Sequence, residues 1–302
     1  MSLLEINNLV TSFKTEQGKV QAVRGISFSV EAGEIVGVVG ESGSGKSQSM
    51  YSLMGLLSDN GVIEDGSMIF DGHEISPAKF EGTQAEWEKY MEDIRGNTIS
   101  MIFQDPMSFL NPVLNIEKQL CEPLIYHKNI KDKAELHKMA VELLTQVGIP
   151  SPEERLKQYP HQLSGGMRQR VIIAIALACH PKMIIADEPT TALDVTIQAK
   201  ILELIKKQRD RLGAGVILIT HDLALLPRPA TVSISCTAAR SSRPAQPTRS
   251  SITVCIPIPR ACSPASTTPR PRITSCVPFP VLLPTCWRRR PAAPLSTAAN
   301  MP

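Results

Sequence analysis

The chain has 302 residues, room for one large or two modest domains, and its 42% apolar and 20% charged content is ordinary for a soluble globular protein. Its longest apolar run, Val171 to Cys179, is too short to cross a bilayer, and the amino terminus lacks a basic-then-apolar signal pattern, so a cytosolic chain is expected. The net charge of +3 averages two unlike segments: all 29 Asp and Glu and 22 of the 32 Lys and Arg lie at or before Asp222, a net of −7. From Leu223 onward there is no Asp, Glu, Lys or Gly, while 10 Arg, 15 of the 24 Pro and 5 of the 7 Cys crowd in.

In chain order, Leu3 to Val10 and Val20 to Val30 read as strands with a turn at Gln17-Gly18. Phe13, just before that turn, is a candidate for stacking on an adenine ring, and ordinary strand packing is the other reading. Glu34 to Val39 is an apolar run that leads directly into Gly40-Glu41-Ser42-Gly43-Ser44-Gly45-Lys46-Ser47, a complete G-x-x-x-x-G-K-[ST] loop. Strand, glycine-rich turn and a helix opening at Lys46 form the setting in which this motif binds phosphate. The glycines let successive N–H groups point inward at phosphate oxygens, and the helix N-terminus adds partial positive charge. Lys46 can reach the terminal phosphates, and Ser47 can hold a magnesium ion.

Beyond this loop, Lys46 to Leu57 reads as a helix, Ser67 to Phe70 as a short strand closed by Asp71-Gly72, and Thr98 to Phe103 as a buried strand with Gln104 at its end. From Val113 to about Cys179 the pattern is helical, with apolar spacing over Ala134 to Val147 and Met167 to Ala178. The last helix follows Leu163-Ser164-Gly165-Gly166. Ser164 fits an N-cap, and the two glycines leave first-turn amides uncovered, either a second anion site or a plain capped turn. Met183 to Asp187 is a buried strand that runs into Glu188, so two carboxylates stand at its end. One can hold a magnesium shell and the other orient or deprotonate water; a solvated strand end is the bland alternative. A helix over Thr196 to Leu212 and a strand over Val216 to Thr220 lead to His221. In a parallel sheet, ends carrying Gln104, Asp187-Glu188 and His221 face one crevice.

Residues 1 to about 224 resemble the ATP-binding subunit of an ABC transporter. The phosphate loop, the Gln104 loop, Leu163-Ser164-Gly165-Gly166, Asp187-Glu188, Asp194 and His221 occur in the family's order. Ser47-Gln48, Phe103-Gln104-Asp105-Pro106-Met107 with Leu110-Asn111-Pro112, and Gly165-Gly166-Met167-Arg168-Gln169-Arg170 are similar to the oligopeptide and dipeptide importer ATPases; nickel importers share much of this pattern. Phe109 departs from the small polar residue usual there.

The resemblance implies a P-loop NTPase of the ABC type, α/β, with a parallel-sheet core, an N-terminal antiparallel β subdomain and a helical signature subdomain at about 113–180. It implies ATP and Mg²⁺ as cofactors, with Phe13, Gly40 to Gln48 and Asp194 around the nucleotide. Ser164, Gly165 and Gly166 would close over ATP bound to a second ABC ATPase subunit. Ser47, Gln104 and Asp187 are implied around the metal, Glu188 as the group that polarises water, and His221 at the γ-phosphate. Transmembrane permease subunits and, indirectly, an extracytoplasmic peptide-binding protein are the implied partners, with the chain peripheral on the inner face of the cell membrane. A soluble ABC ATPase acting on nucleic acid or the ribosome is the rival reading; such chains usually carry two cassettes or a long coiled coil, and no nucleic acid is expected here.

The segment 225–302 reads as an irregular tail without a packed fold. An Arg- and Pro-rich disordered arm is one account of it, and its five cysteines lack the spacing of a zinc site. A frameshift is the better account. If each true codon begins one base earlier, Cys236-Thr237-Ala238-Ala239 permits Met-Tyr-Gly-Gly, which the family carries fifteen residues after its histidine, and Cys236 is fifteen residues after His221. Ile256 to Ser263 permits His-Pro-Tyr-Thr-Gln-Gly-Leu-Leu, Phe279-Pro280-Val281 permits Ile-Pro-Gly, and Ala292 to Pro302 permits Gly-Cys-Pro-Phe-x-x-Arg-Cys-x-Tyr-Ala. On that account the chain is a frameshifted product whose fold and activity are in question.

Overall fold

The computed structural model describes residues 2–16, 18–40, 43–105, 109–190, 195–221, 231–234 and 254–257. Strand β1 (Ser2–Thr15) pairs antiparallel with β2 (Gly18–Glu31), longer than the alternation alone indicates. Register shifts between Ile6 and Leu9 and left-handed backbone at Asn8 (φ 50) and Gly25 (φ 80) carry the ladder past the polar Asn7-Asn8 pair, where the period of two breaks. With β4 (Gly61–Phe70) and β5 (His73–Glu74) these strands make an antiparallel sheet in the order β2-β1-β4-β5.

The second sheet holds the core. Strands β3 (Ile35–Val39), β6 (Ile99–Ile102), β7 (Met183–Asp187) and β8 (Gly215–Thr220) run parallel in the order β3-β8-β7-β6. Every residue of β7 and β8 is buried, as expected of strands covered on both faces. Alternation sends Ile184, Ala186, Val216 and Leu218 into one apolar cluster and Met183, Ile185, Ile217 and Ile219 into the other. The first cluster lies against the helices of the 113–180 region and the second against the antiparallel sheet. This is the expected α/β architecture with its antiparallel β subdomain.

Helix α1 (Lys46–Met54) follows β3. Helix α2 (Gln84–Ile94) is an addition to the sequence reading: Thr83 and Glu86 form a capping box, and Trp87, Met91 and Ile94 are buried. The helical region consists of α3 (Ile116–Lys128), α4 (Lys133–Gln146), the short α5 (Pro152–Leu156) and α6 (Gly165–Leu177). Helix α7 (Val195–Leu212) leads into β8. Arg170 of α6 donates to the carbonyls of Gly148 (2.7 Å) and Val147 (3.3 Å), satisfying groups at the end of α4 and fixing α6 against it.

Two short strands add to the sequence reading. Within the segment read as irregular, Thr231–Ile234 forms β9, parallel to β3, and Val254–Pro257 forms β10, antiparallel to β9. The backbone explains this, because the flank of β3 away from β8 offers N–H and C=O groups to any extended segment whatever its side chains, and Thr-Val-Ser-Ile has strand propensity. The other residues of the tail lie outside the described residues. Among the described residues, no helix is long and apolar enough to cross a membrane.

Candidate functional site

The carboxyl ends of the parallel strands meet along one edge. Because the order is β3-β8-β7-β6, His221 after β8 stands between the loop that follows β3 and Glu188 after β7, while Gln104 after β6 approaches Glu188 from the other side. Gly43, Ser44, Gly45, Lys46, Ser47, Gln48, Gln104, Glu188 and His221 line one cleft of about 570 Å³. Ala22 joins them, which the sequence does not signal: a small residue within a strand carries no motif.

The loop is shaped for close backbone approach. Gly43 (φ 76) and Gly45 (φ 91) are left-handed, and a Cβ on Gly45 would stand 2.3 Å from the carbonyl oxygen of Ala22. Gly45 is the N-cap of α1 and supplies no side-chain cap, so the first amides of α1 are not claimed by a capping side chain. Lys46 is buried and donates from Nζ to the Gly40 carbonyl at 2.8 Å. Positive charge and uncapped amides on one concave surface suit a polyphosphate.

Opposite the loop, Ser47 Oγ donates to Asp187 Oδ1 at 2.9 Å, joining the first turn of α1 to the end of β7. Asp187 is 1% exposed, and its Oδ2 is buried without a hydrogen-bond partner. Burial pushes the Asp187 carboxyl above the usual aspartate range; the Ser47 hydrogen bond opposes that rise, nearby Glu188 adds to it, and Lys46 opposes it. An orphaned buried carboxylate oxygen beside a hydroxyl is the donor set of a hard cation that keeps other ligands from water and phosphate, so the residues fit Mg²⁺. Burial, and then the charge of Asp187, also raise the Tyr51 hydroxyl one turn along α1.

Glu188 has φ 43, in the left-handed region uncommon for a residue with a Cβ, and its N–H donates to the Ile219 carbonyl at 3.1 Å. Its Oε2 accepts from Gln104 Nε2 at 3.1 Å and lies 3.5 Å from His221 Nδ1. The carboxylate is 15% exposed and the imidazole 57%, so water reaches both.

Other expected site residues lie elsewhere. Phe13 sits on β1 opposite Val20 and Gly61, with its ring edge 2.7 Å from where a Gly61 Cβ would be, and is not part of the cleft lining. Ser164 caps α6 by accepting from the Met167 N–H at 3.4 Å, and a Cβ on Gly165 would meet nothing within 4 Å. Ser164, Gly165 and Gly166 do not line the cleft of their own chain. Phe109 stacks on Phe103 with ring centroids 3.7 Å apart. Glu41, Ser42 and Asp194 lie outside the described residues.

A parallel sheet with a phosphate loop at one strand end and carboxylates at another defines a P-loop nucleotide-binding protein. Residues 23–191 match the family model described as ABC transporter, and the chain belongs to that family. It is 50% identical over 224 residues to a dipeptide transport ATP-binding protein of Lactococcus lactis, covering 74% of this chain and 62% of the relative. It is likewise 50% identical over 225 residues to an oligopeptide transport ATP-binding protein of Bacillus subtilis, covering 74% of this chain and 60% of the relative. The chain thus matches somewhat under two thirds of the length of these relatives. Among solved structures it is similar to the dimeric ATP-binding cassette MJ0796 in a post-hydrolysis state bound to ADP and Pi, at 28% identity and a TM-score of 0.66, covering 76% of this chain and 93% of that one.

Proposed function

We propose that the chain is the ATP-hydrolysing, energy-coupling subunit of an ABC importer for oligopeptides or dipeptides. The observation that carries this reading is the meeting of Lys46, the Ser47–Asp187 pair and Glu188 in one cleft. The amides of Gly43 to Ser47 and the Lys46 ammonium receive the β- and γ-phosphates of ATP. Ser47 and Asp187 hold Mg²⁺, with Gln104 offering a further oxygen; the ion supplies charge neutralisation at the phosphate oxygens. Glu188 accepts a proton from the attacking water, and His221 donates a hydrogen bond to the γ-phosphate. Phe13, on β1 outside the cleft lining, is the aromatic residue proposed to stack on the adenine.

Ser164, Gly165 and Gly166 present an open helix start outside their own cleft, which supports a head-to-tail dimer in which each cleft is completed by the other copy or by a related ATPase subunit. Permease subunits at the inner face of the cell membrane are the proposed docking partners, and an extracytoplasmic peptide-binding protein acts through them. Co-expression with a peptide-importer permease tests the assignment: the reading expects co-purification and peptide uptake that is lost with Lys46→Ala, and uptake indifferent to that substitution would refute it.

We also infer that residues from about 225 onward are encoded out of frame. The support is the set of four motif matches in one register. Inserting one base upstream should open a reading frame with Met-Tyr-Gly-Gly in place of residues 236–239; a restored frame interrupted by stop codons would refute this.

A further inference from the structure

Phe13 stands directly opposite Gly61 in the pairing of β1 with β4, and opposite Val20 in the pairing of β1 with β2. Its ring leans over the glycine: a Cβ on Gly61 would stand 2.7 Å from Phe13 Cε1, 3.2 Å from Phe13 Cδ1 and 3.2 Å from Leu57 Cβ. An antiparallel pair that sets an aromatic against a glycine gives the ring a floor of backbone. That floor is pinned. Lys14, next to Phe13, donates its N–H to the Asn60 carbonyl at 2.8 Å and accepts from Asn60 Nδ2 at 3.0 Å, while the Gly61 N–H donates to the Ser58 carbonyl at 2.7 Å. On the β2 side the surroundings are open: Val20 is 49% exposed, and Ala22, two residues further along β2, lines the cleft beside Gly45. Two residues of strand span roughly 6–7 Å, so a short open track leads from the phosphate loop to the ring.

We propose that Gly61 is a positioning residue for the nucleotide base. The missing side chain leaves a recess that takes the edge of the Phe13 ring, and with the ring in that recess its β2 side is free to receive the base. A methyl group at Gly61 suits the backbone, which is not left-handed there, and the bonds around Asn60 hold the strand in place. The part that yields is the far edge of the ring, which swings toward β2 into the space the base needs. The inference rests on reading Phe13 as the adenine platform of an ATP site.

Titration calorimetry of the full chain with Mg-ATP and with Mg-tripolyphosphate, which carries the phosphates without the base, tests this. Gly61→Ala should raise Kd for Mg-ATP about tenfold, the scale of losing most of a base–aromatic stack. It should keep Kd for Mg-tripolyphosphate within about twofold and the ligand-free Tm within about 2 °C of the parent. Phe13→Ala should weaken Mg-ATP to a similar extent, and adding Gly61→Ala to it should cost nothing more, because no ring is left to displace. Equal losses for the two ligands, an unchanged affinity for Mg-ATP, or independent losses from the two substitutions would each overturn the proposal. A parent that binds Mg-ATP no more tightly than Mg-tripolyphosphate would overturn it and leave the phosphate site standing; a parent that binds neither would refute the ATP reading and this inference together.

Discussion

Ser47 and Asp187 lie 140 positions apart in sequence and share a hydrogen bond of 2.9 Å, which ties the start of α1 to the end of β7. Around this bond the cleft has two walls, a cationic one made by the phosphate loop and an acidic one made by strand ends. The second oxygen of Asp187 is buried and unpartnered, a cost that a bound cation would relieve.

That cost predicts a trade between stability and binding. The folded Asp187 carboxyl is raised above its unfolded value, so its contribution is favourable at low pH and is lost as pH rises through the folded value. At neutral pH Asp187→Asn should therefore raise the Tm of the nucleotide-free chain by roughly 2–4 °C, with the gap closing below the ordinary aspartate range. The same variant should lose most of its Mg-ATP-dependent stabilisation. Melts at two pH values, with and without Mg-ATP, check both; an unchanged Mg-ATP response would remove Asp187 from the metal site.

The two loop glycines should respond differently to one methyl group. Gly43 is left-handed, yet a Cβ there meets nothing within 4 Å, so Gly43→Ala should cost about 1 kcal/mol of backbone strain. At Gly45 the Cβ would stand 2.3 Å from a backbone oxygen, and the loop must move. Gly45→Ala should abolish ATP binding by titration calorimetry while Gly43→Ala retains it; equal affinities would contradict the loop geometry.

Glu188→Gln should leave ATP affinity within about threefold of the parent and lower hydrolysis by about 10²-fold or more, the range for losing a positioned base. Lys46→Ala should weaken binding itself. Near-parent turnover in the Glu188 variant would move the base elsewhere.

Burial, and then the charge of Glu117, push the Cys121 thiol up to about 11. A thiol so placed stays protonated at neutral pH and is a poor nucleophile. Iodoacetamide treatment of the native chain at pH 7.5 followed by peptide mapping should leave Cys121 unlabelled, with labelling appearing in urea. Rapid native labelling would mean that α4, whose Leu136 carbonyl accepts from the Cys121 thiol at 3.8 Å, does not cover it.

The sequence made some of this legible and hid the rest for identifiable reasons. Lys46, Ser47, Asp187 and Glu188 could be read because each sits in a local pattern, a glycine loop or an apolar run ending in acids. Helix α2 was missed although Thr83 and Glu86 carry its capping box, because only Trp87, Met91 and Ile94 mark its apolar face. The Gln104–Glu188 bond could not be read, since it follows from β6 lying next to β7, and strand order is a tertiary fact. Strand β9 is set by backbone pairing to β3, which no side-chain pattern announces.

The most direct test of the account is a thermal melt of the full chain with and without Mg-ATP, set beside Lys46→Ala. At a ligand concentration about 100 times Kd, binding is worth about 2.7 kcal/mol, so the parent should melt roughly 5–10 °C higher with Mg-ATP while Lys46→Ala shows little shift. A parent chain whose melting is indifferent to Mg-ATP would contradict the account.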